Sequence, residues 1–166
     1  MAKVLKESGI EVVHSETYHD YPSYTGSYRR AMETAKSIME KEGNVALVLD
    51  VHRDALLNEK GEYMKTLAEI NGKKMAKALL VVGTDGGGLE HPAWRENLKT
   101  ALQLQKIMKE KYPSLGRELH LCNERYNGHI SSGAMIIEIG SNGNTLSEAL
   151  ACARLVGECI VSLMKN

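Results

Sequence analysis

Phenylalanine is absent from this sequence, tryptophan occurs once, and proline and cysteine occur three times each. A core built without Phe has to be filled by aliphatic side chains and by the eight methionines, which adapt to irregular gaps. Three cysteines cannot all pair within the chain, and there is no Cys-x-x-Cys, so a disulfide scaffold is excluded. Cys152 and Cys159 lie seven apart on one face of a predicted helix and read as core thiols in preference to a disulfide or metal role. Excess charge is lacking too: 21 basic residues balance 21 acidic ones, which excludes a nucleic-acid protein driven by bulk charge. The apolar runs Val45 to Val51 and Ala78 to Val82 fall far short of the roughly 20 residues that cross a bilayer. The N-terminal residues lack a signal-peptide core.

Several catalytic signatures are missing. Gly86-Gly87-Gly88 completes no Gly-x-Gly-x-x-Gly, because His91 holds the last position, and no Gly-Lys-Ser/Thr follows. There is no Gly-x-Ser-x-Gly elbow. Internal repeats and Pro/Ser-rich linkers are also absent, so residues 1–166 read as a single domain.

What is present is an α/β pattern. A short helix ends at Gly9, and Gly9 to His14 reads as a strand. Tyr28 to Glu42 has helical apolar spacing closed by Gly43. Val45 to Val51, apolar except for Asp50, suits a central parallel strand covered on both faces. Asn71-Gly72 between Glu62–Ile70 and Lys73–Val82 predicts a β-hairpin, since both turn positions favour positive φ. Trp94 to Tyr112 is helical and stops before Pro113, Ala134 to Gly140 is a second buried strand, and Thr145 to Met164 is a helix opened by a Thr-x-x-Glu capping box. The expected fold is a mixed, mostly parallel sheet flanked by helices, with a β-hairpin insertion.

Two strands carry polar residues that sheet stability does not ask for. His52-Arg53-Asp54 follows the first, and Glu138 interrupts the second. Ligands of open α/β sheets bind beyond the carboxyl ends of strands, where both residues would sit. His52 reads equally as a hydrogen-bonded structural histidine or a ligand. A carboxylate inside Met-Ile-Ile-Glu-Ile-Gly is costly unless paired, metal-bound or protonated, which favours function for Glu138. His14, Glu16 and His19 are further candidates, because two imidazoles and a carboxylate can hold a catalytic zinc; partly exposed polar residues at a strand end are the competing reading. Arg125-Tyr126-Asn127 is either a substrate wall or a plain loop.

Taken together, His19 to Arg30, Asp50 to Ala55, Val81 to Asp85, Arg125 to Asn127 and Gly133 to Thr145 resemble, in order, the catalytic domain of the stage II sporulation protein P family. That resemblance implies a zinc-dependent N-acetylmuramoyl-L-alanine amidase of amidase-3-like, zinc-exopeptidase-like architecture, cleaving peptidoglycan during sporulation and engulfment. It implies His52 as a zinc ligand and Glu138 as the catalytic carboxylate. Charge alone makes Arg53 and Arg125 candidates for holding an oxyanion or a stem-peptide carboxylate, and Asn127, in the loop with Arg125, is a further substrate-binding candidate. The resemblance implies an extracytoplasmic site between mother-cell and forespore membranes, and a glycan-cleaving partner enzyme. The family's first strand, with a His-Thr-His-x-x-Glu-like motif, and its membrane anchor have no counterpart in the sequence. The chain is therefore expected to resemble an N-terminally truncated member with a half-built metal site, little or no amidase activity and an open strand edge that favours a homo-oligomer. The alternative expectation is a catalytically silent cell-wall or protein-binding module with the same fold.

Overall fold

The structure is a computed structural model that describes residues 1–165. Helix α1 spans Ala2–Glu7 and α2 spans Ser27–Glu42. Strand β1 is Val48–Asp54, β2 Ala68–Ile70, β3 Lys73–Met75 and β4 Ala78–Gly83. Helix α3 is Trp94–Lys111 and β5 is His120–Cys122; a 3-10 turn at Gly128–Ile130 leads into β6, Ala134–Ser141, and α4, Leu146–Lys165.

Four strands form one sheet in the order β1-β6-β4-β5, and β2 pairs antiparallel with β3 apart from it. The β1–β6 and β4–β5 pairs are parallel, and β4–β6 is antiparallel. The sheet is thus mixed and mostly parallel, as the pattern of apolar strands and intervening helices predicts.

Period-two alternation divides the sheet into two unlike faces. Leu80, Val82, Met135, Ile137 and Ile139 point to one side, where they bury Ala101, Leu104 and Met108 of α3 and Cys152, Val156, Cys159 and Ile160 of α4. Cys152 and Cys159 are free thiols with no exposure, the core role their spacing predicts. Burying one Leu or Ile of this set contributes about 1.5–3 kcal/mol, so this face supplies most of the cohesion. On the opposite face Leu79, Val81 and Ile136 form a much smaller cluster, completed by Cys122 and Tyr126. That face keeps polar groups accessible.

Three expectations are corrected. The run at Val45 to Val51 is not a central strand: pairing starts at Val48, and β1 lies at the sheet edge beside β6 alone. Continuous apolarity signalled coverage that the far end lacks, and Val51 is 52% exposed. Gly9 to His14 forms no strand, because Ile10 and Val12 are packed against the helical core without a ladder partner. The hairpin is shorter than predicted. Asn71 and Gly72 do take positive φ, 53° and 71°, but the second arm ends at Met75. Buried Ala76 then donates its N–H to the Glu148 carbonyl, and the chain crosses into the main sheet as β4.

The start of α4 matches its capping signature. The Glu148 N–H donates to Thr145 Oγ1 (3.3 Å) and the Thr145 N–H donates to Glu148 Oε2 (2.9 Å). Hydrogen bonds from the Asn144 amide and then from the Thr145 N–H hold the Glu148 carboxyl well below the usual carboxylate range, at about 2. Asn144 is the hub of this turn. It accepts from the Ser141 N–H and donates to the Thr66 carbonyl, both at 3.0 Å, which fixes the end of β6.

Candidate functional site

Glu138 and His52 are partners in the parallel β1–β6 register, and Leu79 is opposite Glu138 on β4. Adjacent strands in register present their side chains to the same face, so the imidazole and the carboxylate stand side by side on the sparsely covered side of the sheet. Two residues earlier on β1, Asp50 shares that face and meets the imidazole, with His52 Nε2 at 2.8 Å from Asp50 Oδ1. This hydrogen bond, the largest influence, raises the His52 pKa, while partial burial opposes it.

Glu138 Oε2 is buried and has no hydrogen-bond partner among the described residues. Burial therefore pushes the Glu138 carboxyl up; the His52 charge opposes the shift, and Asp54 and Asp50 reinforce it. Arg117, whose charge also acts on Glu138, is already committed, since its Nη1 donates to Asp54 Oδ2 at 2.5 Å. A half-buried carboxyl of raised pKa, unpaired beside an imidazole fixed by a second carboxylate, has the character of a group that takes up and releases a proton.

Tyr28, at the start of α2, and Tyr126 close one side of the face, with ring centroids 5.4 Å apart. Asn127 Nδ2 donates to the Tyr28 carbonyl at 2.8 Å, tying the two segments together. Gly83 makes room for this loop: a Cβ there would lie 2.3 Å from the Glu124 carbonyl oxygen.

The remaining sequence candidates are dispersed. Arg53 donates to the Ser141 carbonyl (2.7 Å from Nη2) and to that of Asn144, clamping the β6–α4 turn. Arg125 Nη1 donates to the Glu90 carbonyl at 2.9 Å. His14 and Glu16 are exposed and 3.9 Å apart, and His19 Nε2 lies 3.0 Å from Thr34 Oγ1. Sequence reasoning assigned no role to Asp50 or Tyr28. The first was legible as Asp-x-His, which puts both side chains on one strand face; the second has no local signal.

A catalytic zinc takes three protein ligands and keeps one position open. No group of three His, Cys, Asp or Glu side chains suited to a metal ion occurs among the described residues. His52 supplies one imidazole, and with Glu138 kept for proton transfer the described residues fall short of such a donor set. No described helix is long and apolar enough to cross a membrane.

The family model for Stage II sporulation protein P (SpoIIP) matches residues 1–161. Stage II sporulation protein P of Bacillus subtilis (strain 168) is 28% identical over 141 residues, covering 82% of this chain and 33% of that protein. The chain thus spans about a third of the length of the curated relative it matches. No solved structure matches it.

Proposed function

The chain belongs to the stage II sporulation protein P family, and from that premise we propose that it carries the acid–base half of a peptidoglycan amidase site. Membership implies a sporulation-related cell-wall function. The finer reading is hydrolysis of the amide between the lactyl group of N-acetylmuramic acid and L-alanine, at an extracytoplasmic site in the sporulating cell. The observation that carries it is the buried, unpartnered oxygen of Glu138 in register with His52.

In this reading Glu138 takes the proton of the attacking water and delivers it to the leaving amine, which a carboxyl of raised pKa does more readily than an ordinary one. Asp50 holds the His52 ring in one orientation. The His52 imidazole is the chain's donor toward the zinc that the family implies, and further donors are needed to complete that site. An amidase-3-like architecture belongs to the same proposal.

The shortage of donors favours one alternative, a silent peptidoglycan-binding module that keeps the groove. The test is incubation of the chain with purified peptidoglycan and zinc, followed by quantification of newly exposed alanine amino groups and of muramic acid freed of peptide. Slow release that Glu138→Gln and His52→Ala each suppress by about 100-fold supports the amidase, matching the general acid–base contribution. Co-sedimentation without release supports the binding module. Neither release nor binding overturns both.

A further inference from the structure

Tyr126 has φ 46°, in the left-handed region that a bulky aromatic residue rarely adopts. Such a backbone is strained and persists only where its surroundings over-determine it, commonly at ligand sites. The Tyr126 ring packs against the Leu79, Val81 and Ile136 cluster. Leu79 is the register partner of Glu138, and Ile136 precedes Glu138 by two residues on the same strand face. The ring is therefore a fixed neighbour of the proposed reacting carboxyl.

Tyr28 meets it at 31° between ring planes. Neither phenol hydroxyl has a hydrogen-bond partner among the described residues, and neither counts among the buried polar atoms left unpaired. Both hydroxyls are thus free for a ligand. Tyr24 is 74% exposed in the segment leading to α2, preceded by Tyr21 and Tyr18, which are exposed to a similar degree. Burial raises the Tyr28 phenol pKa first, with the neighbouring Tyr126, Tyr24, Asp50 and Glu138 adding to it.

We propose that Tyr28 and Tyr126, extended by Tyr24, form a stacking subsite for an N-acetylhexosamine ring of a glycan strand, seating it beside Glu138. The inference rests on the peptidoglycan reading above and names the part of that substrate which this wall holds. A pyranose ring presents an apolar C–H face to the electron-rich face of a phenol, so the ring itself is the binding element. Stacking of this kind needs aromatic area without charge. That is what the wall offers, because Arg125 is turned toward the Glu90 carbonyl and Arg30 toward the carbonyls of His19, Thr25 and Ser23.

The experiment measures Kd for two ligands: soluble glycan chains stripped of stem peptide, and peptide-bearing peptidoglycan fragments. Tyr28→Leu suits a helix, Tyr126→Asn suits a left-handed backbone, Tyr24→Ala is an exposed change, and the Tyr→Phe variants test whether the ring suffices. The stripped glycan is expected to bind, with Kd rising about three- to tenfold in Tyr28→Leu and Tyr126→Asn, the range for one aromatic contact, and with each Phe variant within about twofold of the native chain. Tyr24→Ala, which leaves the packed face untouched, is expected to weaken glycan binding as well and serves as the control for misfolding. Binding of peptide-bearing fragments without binding of stripped glycan, or equal binding by all variants, overturns the stacking subsite and leaves the hydrolase reading standing. Absence of binding to either ligand overturns the hydrolase reading itself.

Discussion

Replacing Glu138 by leucine should make the protein more stable while removing its chemistry. The carboxyl oxygen Oε2 is buried without a partner, and leaving a buried polar group unsatisfied costs about 1–3 kcal/mol. Attraction to His52 and Arg117 offsets part of that cost. The offset is small, because the His52 side chain is 39% exposed and Arg117 is neutralised by Asp54. Leucine at 138 would join Leu79, Val81 and Ile136, the apolar cluster already on that face. The sum is a gain of about 1 kcal/mol, at the low end because Glu138 is only half-buried. For a chain of this size that is a rise in Tm of about 2–4 °C. Urea denaturation followed by circular dichroism, with the native chain and Glu138→Gln alongside, measures it directly. The amide of Gln keeps an orphan polar group and should change little. A loss of 1 kcal/mol or more in Glu138→Leu would show that the carboxyl has a structural partner, and the argument for a reserved catalytic group would fail.

Asn144→Ala strips partners from the Ser141 N–H and the Thr66 carbonyl and N–H, and at about 1 kcal/mol each should cost about 3 kcal/mol in urea titration. Acid should also destabilise the protein through His91 and His129. Burial and the charge of Arg125 lower both pKa values from the ordinary 6.5. The unfolded chain then binds protons first, so stability falls as pH drops below about 6.5, a slope that His91→Gln should reduce in pH-resolved melting. Zinc titrated into the chain should bind weakly in calorimetry, with the residual heat lost in His52→Ala and unchanged in His14→Ala, since no described side chains complete a three-donor set.

The helices were readable because their signals are local. Gly43 closes α2, Pro113 stands two residues beyond the end of α3, and the Thr145–Glu148 box opens α4. Strand position was not, since rank in a sheet depends on partners far along the chain. Thus the apolar run ending in His52 suggested a centre that β6 occupies. His52 and Glu138 each stood out as polar residues in apolar strands. That they are register neighbours follows only from the β1–β6 pairing. Tyr28 and Tyr126 are 98 residues apart and meet because Gly83 admits the loop beneath them. No periodicity encodes such a contact.

The central claim, that Glu138 is the proton-transferring group of a peptidoglycan amide hydrolase, is tested most directly by comparing native chain and Glu138→Gln for two quantities in one zinc-containing reaction: peptidoglycan bound and alanine amino groups released. Equal binding is expected, with release reduced by about 100-fold in the variant. Release that survives the substitution unchanged would contradict it.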